Sequence, residues 1–176
     1  MDIESLDLGN FVSSHSPDTA RLATAFSSND DIGALIRCHF ELERAATHAL
    51  DVLTQGRWKA AKCRYLNDKL NALEMIGAPP TILAPAKILN RHRNRLAHDG
   101  VDTILSEQEA EFTLSVRSVM PQYTDDFRVI ISGSMNFDDK VSNCTVRQRY
   151  VISCGFVVML VGSIPQIMAM ALQKVK

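Results

Sequence analysis

The chain has 176 residues, 46% hydrophobic and 22% charged, enough for one domain to bury a sizeable core. This excludes wholesale disorder, a collagen-like fibre and a disulfide-stapled miniprotein. A formal net charge of −1 argues against a protein that coats nucleic acid with its whole surface. That sum conceals a pattern. Residues 1–55 hold 3 Lys/Arg against 9 Asp/Glu and residues 56–98 hold 9 against 2, whereas residues 99–139 hold 2 against 9 and residues 140–176 hold 5 against none. An anionic partner would have to meet one basic block, and the acidic blocks on either side would confine it there.

Met1, Asp2, Ile3 and Glu4 open the chain without the basic start and apolar run of an export signal, so a cytoplasmic location is expected. Cys38, Cys63, Cys144 and Cys154 form no C-x-x-C pair and have no histidine at zinc-finger spacing. Reduced thiols, no structural metal and no cofactor are expected.

Residues 1–27 are read as an N-terminal segment and 28–176 as a helical domain. Ser16, Pro17 and Asp18 predict a cap, a first-turn proline and an acidic first turn for a short helix over 17–27. From Ile32 a stripe of Leu35, Ile36, Phe40, Leu42, Ala46, Ala49, Leu50 and Leu53 predicts a long core helix ending near Gly56. A third helix is predicted over 58–76, with Ala61, Tyr65, Leu66, Leu70, Leu73 and Ile76 inward and Gly77 at its stop. Pro79 and Pro80 predict a turn. Pro85 then opens a helix whose inward register is Ile88, Leu89, His92, Leu96 and Ala97, closed by Asp99 and Gly100. Ser106 followed by Glu109 has capping-box form, predicting a helix over 107–119 that Pro121 ends. Residues 120–143, with Gly133 and two Asp-Asp pairs, suit a long exposed loop in which 127–131 has the composition of one short strand. The whole is all-α, a helical bundle with one long loop near 120–143.

Between Arg149 and Lys174 lie 24 residues without a formal charge, bounded by Arg147, Arg149, Lys174 and Lys176. By length this run spans a bilayer. Gly155, Gly162, Ser163, Pro165 and Gln166 interrupt it, which favours a helix buried in the bundle or at a dimer interface and makes a membrane partner the lesser expectation.

The residues with most chemical potential lie in the basic block. Lys87, Arg91, His92, Arg93, Arg95 and His98 share one predicted helix, with Asn90 and Asn94 between them. Asn94 and His98 are one turn apart on a common face, and Arg93 lies about 140° round the axis from His98. An imidazole moves protons near neutral pH and a guanidinium holds phosphate bidentately, so the set suits phosphodiester chemistry without a metal. A solvated basic face, with His98 placed to suit the helix dipole, explains the same residues. Elsewhere, His39 and Glu43 are four apart and form either a polarised pair or an ordinary helix contact, and Glu41 and Glu43 are candidates to hold Arg91 or Arg95. Phe40, Trp58 and Tyr65 are candidates for base stacking or for core, and Met159, Met168 and Met170 for adaptable packing.

The run Ile88 to His98, with Arg93, Asn94 and His98 in the pattern R-N-x-x-A-H, resembles the signature of the HEPN superfamily. Asp31 and Gly33 at the first long helix, the Leu73 to Gly77 end of the third, and a closing apolar helix entered through Arg147, Gln148, Arg149 and Tyr150 resemble its mannitol-operon-repressor (MltR-like) branch. Ile32 stands where that branch tends to carry Arg, and Leu96 where it often has an aromatic. The resemblance covers roughly residues 28–175 and implies an all-α bundle that dimerises with two motifs across a cleft. It implies His98 as general acid/base, Arg93 as stabiliser of the phosphorane charge and Asn94 as positioner, in a metal-independent RNA cleavage leaving 2′,3′-cyclic phosphate ends. RNA would bind through Lys87, Arg91, Arg93 and Arg95 with salt-sensitive affinity. Such proteins serve as toxins or in phage defence, often with a neutralising partner. The alternative is a non-catalytic MltR-like regulator or interaction protein in which Arg93, Asn94 and His98 hold helices together.

Overall fold

The computed structural model describes residues 14–100, 102–132 and 136–173; Met1 to Glu4, Gly133, Lys174 and Lys176 lie outside them. Among the described residues the chain forms seven α-helices and one antiparallel strand pair, a mostly α architecture as the periodicities predict. The helices are α1 (Thr19–Ser27), α2 (Asp31–Thr54), α3 (Leu66–Met75), α4 (Pro80–Asp99), α5 (Ser106–Arg117), α6 (Val146–Gly162) and α7 (Ile164–Gln173). The strands are β1 (Arg128–Ile131) and β2 (Phe137–Lys140).

The cap of α1 is Asp18, not Ser16: its carboxylate accepts from the Arg21 backbone N–H at 3.0 Å, which leaves Pro17 outside the helix. Asp18 also donates its own N–H to Glu41 on α2, at 3.0 Å. Glu41 is fully buried and accepts further bonds from Arg21 and from Arg44, so its charge is compensated inside the bundle. The inward stripe of α2 runs through Ala34, Leu35, Cys38, Leu42, Ala45, Ala46, Ala49 and Leu50. Ile36 and Phe40 are exposed instead, and the Arg21 guanidinium lies 4.4 Å from the Phe40 ring centre.

The helix expected over 58–76 is interrupted. Arg57–Ala61 form a 3₁₀ turn, Lys62 takes a left-handed φ of 52°, and α3 starts only at Leu66. The Asp68 carboxylate accepts from the backbone N–H groups of Arg64 and Tyr65, at 3.2 Å each, and so fixes the restart. This turns Ala61 and Tyr65 outward, and Ile76, at the end of α3, is exposed as well. The proline roles are also corrected: Pro80 opens α4 and Pro85 lies inside it, buried, one turn on. A proline this near the start forfeits only one intrahelical hydrogen bond.

Helix α6 is apolar round its whole circumference and lies at the centre, against α1, α2, α4 and α5. No single helix among the described residues is long and apolar enough to cross a membrane; α6 and α7 reach that length and composition only together, and they are bent by 50°. The bend falls at Ser163, whose N–H and hydroxyl turn back to the Met159 carbonyl, just before Pro165. The segment expected to be a loop contains a strand pair in which Arg128 faces Lys140 and Ile131 faces Phe137. Phe137 packs edge-on against Phe26, and Phe127 packs against Tyr123 and Phe156, which seats the pair on α1 and α6.

Candidate functional site on α4

Helix α4 is divided along its length. Ile82, Leu83, Ala86 and Leu89 are buried in the core, whereas Arg93, Asn94, Arg95, Ala97 and His98 are exposed and Leu96 is half-buried. Ala97 therefore leaves the inward register predicted for it, because the helix emerges from the bundle in its last two turns. Gly100, with φ of 64°, ends it in the left-handed region that glycine enters without strain.

The transition is made by three residues that tie α4 to its neighbours. Asn90 Oδ1 lies 3.1 Å from His39 Nε2 on α2. Arg91 is ion-paired with Glu111 on α5. His92 is buried with both ring nitrogens engaged: Nε2 lies 3.0 Å from the Glu111 carboxylate and Nδ1 3.0 Å from the Tyr150 hydroxyl on α6. A carboxylate only accepts, so Nε2 carries the hydrogen and Nδ1 accepts from Tyr150. Burial holds the His92 imidazole below its usual value, against the opposing hydrogen bond that the ring donates to Glu111. Nearer the start of the helix, Lys87 is ion-paired with Glu74 on α3.

Beyond Arg91 the pattern changes. Arg93 donates to Asn94 Oδ1 at 3.4 Å, and no ion pair holds Arg93, Arg95 or His98 among the described residues. None of Arg93, Asn94 and His98 bonds to another helix there; Lys87, Asn90, Arg91 and His92 do that work. Of the six residues singled out in the sequence, Arg93, Asn94, Arg95 and His98 thus share one open end of the helix, and Lys87 and Arg91 stand in its structural half. The partners predicted for Arg91 are wrong: Glu41 is taken by Arg21 and Arg44, Glu43 bonds Lys69 at 2.7 Å, and Arg91 goes to Glu111.

The loop after His98 is positioned from a distance. Asp31, at the start of α2, accepts from the Ile104 N–H at 2.9 Å and from Arg147 of α6 at 2.7 Å. Of the aromatic candidates, Trp58 donates its indole N–H to Asp51 at 2.7 Å and has Lys69 at 5.7 Å from its ring, Phe40 has Arg21 over one face, and Tyr65 is 73% exposed. Cys38, Cys63, Cys144 and Cys154 are all free thiols. No group of three or more His, Cys, Asp or Glu among the described residues stands together as a metal-ligand set.

The sequence reading missed His39 as a neighbour of α4 and Glu111 as the carboxylate that neutralises Arg91. Asn90 carried the first signal, since it follows Leu89 toward the interior and a buried amide must find a polar partner. Glu111 had no comparable local mark. No family model, no curated protein and no solved structure matches this chain.

Proposed function

We propose that the open end of α4 binds RNA and that His98 and Arg93 cleave it without a metal ion, in the manner that the resemblance to the HEPN superfamily implies. The observation that carries this reading is the contrast along one helix. Lys87 and Arg91 are each neutralised by a carboxylate of a neighbouring helix, whereas Arg93, Asn94, Arg95 and His98 are exposed and bonded to no other helix among the described residues. In the reaction, His98 accepts the proton of a ribose 2′-hydroxyl, O2′ attacks the adjacent phosphorus, and the 5′ oxygen leaves with a proton returned by an imidazole. Arg93 balances the charge of the phosphorane and Asn94 orients the phosphate. The products are a 2′,3′-cyclic phosphate and a 5′-hydroxyl.

Arg93 and His98 point about 140° apart on one helix, so a second copy of the chain facing the first would bring an Arg93 beside the other copy's His98. A homodimer is therefore part of the proposal, as is a toxin or phage-defence setting with a neutralising partner. The competing reading is a non-catalytic MltR-like regulator that meets its partner through the same surface. Incubation of RNA with the protein in EDTA separates the two. The wild type should cleave, and Arg93→Ala and His98→Ala should each lose about a hundredfold or more in rate while unfolding at the wild-type temperature, since both side chains are exposed. A folded wild type that cleaves no RNA pool favours the regulator.

A further inference from the structure

His39 lies on α2 beside this end of α4, and neither the motif nor the resemblance includes it. Its Nε2 meets Asn90 Oδ1 at 3.1 Å. An amide oxygen only accepts, so Nε2 carries the hydrogen and, in the neutral ring, Nδ1 keeps its lone pair with no bond from a described residue. Three charged groups act on the ring: Arg93 from α4, Lys69 from α3 and Glu43 from α2 itself. Glu43 and Lys69 are bonded to each other at 2.7 Å and largely cancel. Arg93, three residues beyond Asn90 on α4, remains as the uncompensated charge acting on the ring. Partial burial is the largest influence and lowers the pKa, the hydrogen bond to Asn90 works against it, and Arg93 adds to the lowering, so the ring is neutral at neutral pH.

We propose that His39 is a second imidazole of the α4 anion site, taking up a proton when an RNA phosphate docks on Arg93 and thereby adding one positive charge to the grip on that phosphate. The inference rests on the reading of α4 as an RNA-binding surface. A docked phosphate offsets the charge of Arg93 at the ring, which moves the titration of His39 upward from its lowered position. The proton comes from solvent, so by linkage affinity must rise as pH falls through the titration of His39. Asn90 holds the ring by Nε2 in both protonation states, because that nitrogen donates in each.

The test uses a 2′-O-methyl oligouridylate, which has no 2′-hydroxyl and cannot be cleaved, with binding followed by fluorescence anisotropy at about pH 8 and about pH 5.5. His98→Gln is the background, which removes the His98 imidazole; His15, His48 and His92 remain common to both proteins. On acidification the His98→Gln protein should bind more tightly by up to about tenfold, the effect of a one-unit upward shift on binding. The His39→Gln/His98→Gln protein, in which Gln keeps a donor for Asn90, should lose that increment. Equal pH dependence in the two proteins overturns the role of His39 while leaving RNA binding by α4 standing. Absence of binding by the wild type at any pH in low salt overturns the RNA reading, and this inference with it. Should the double variant fail to fold, the His39 imidazole is titrated by NMR in the His98→Gln protein with and without the oligonucleotide. An upward shift on binding is expected, and an unmoved titration contradicts the proposal.

Discussion

His92 and His98 are six residues apart on α4 and have opposite surroundings. His92 is buried, with Tyr150 on one ring nitrogen and Glu111 on the other, and has no capacity left for a substrate. His98 is exposed in the last turn, where a cationic imidazole also suits the helix dipole. His92 and the partly buried His39 give the protein a definite pH response. Burial lowers the pKa of both His39 and His92 in the folded state below the 6.5 of an unperturbed imidazole. Below pH 6.5 the unfolded chain therefore binds more protons than the folded one, and stability falls as pH falls toward the folded values. Each ring contributes a slope of at most about 1.4 kcal/mol per pH unit. Asp51 and Glu111, whose pKa values are lowered, stay ionised across this window and add nothing to the slope. The urea midpoint should be lower at about pH 5.5 than at about pH 7.5; a midpoint that holds or rises on acidification contradicts the assignment of these rings as neutral in the folded state.

At the scale of elements, the ends of α4 are where sequence and structure can be compared most closely. Of the register expected for α4, Leu89 and His92 are buried and the stop at Gly100 follows from turn chemistry, whereas Ile82, Leu83 and Ala86 precede or adjoin the start expected at Pro85. The long α2, the apolar α6 and the break at Ser163 were equally legible, because each depends on neighbours within a few residues. The interruption of the third helix was not, since the Asp68 carboxylate competes for backbone N–H groups that a helical continuation would have used. Nor was β2, in which two aspartates occupy a strand; Arg128 clamps Asp138 at 2.6 and 2.7 Å and Asn143 holds Asp139 at 2.7 Å. The exposed residues of the candidate site were visible in the sequence as a motif, and their tertiary partners were not.

Two contacts flank α4, one in the loop that follows it and one to α5. Asp31 joins α2, the loop before α5, and α6, and both Asp31 and Arg147 are mostly shielded, at 17% and 20% exposure. Asp31→Ala should cost roughly 2–4 kcal/mol in urea unfolding, because Arg147 and the Ile104 N–H both lose their acceptor; Asp31→Asn, which keeps an acceptor for Ile104, should cost less. Equal losses would show that the ion pair with Arg147 carries the whole effect and the Ile104 hydrogen bond nothing. The second contact is Glu111 with Arg91. Glu111→Gln frees a guanidinium next to the proposed RNA surface, so affinity for a short RNA should rise at low salt, and the dependence of log K on log salt should steepen by about 0.7, one phosphate contact on a single strand. Unchanged affinity and slope would place Arg91 outside the binding track.

Across the whole molecule the charge blocks of the sequence are not separate surfaces. Carboxylates of the acidic block 99–139 bond cations of the basic blocks, as Glu111 does Arg91, Glu109 does Arg149 and Asp126 does Lys140. Others close within their own block, Asp125 on Arg117 and Asp138 on Arg128. The acidic segment is therefore not a free fence around the basic helix: its charge is largely matched where it stands. Among the described residues, what the matching leaves over on α4 is the group Arg93, Arg95 and His98, and the proposed function depends on that remainder. Cleavage of RNA in EDTA, with analysis of the product ends, tests it most directly. The wild type should yield 2′,3′-cyclic phosphate ends, and the folded His98→Ala protein should be slower by about a hundredfold or more. Cleavage undiminished by His98→Ala, or none from a folded wild type on any RNA pool, contradicts the account.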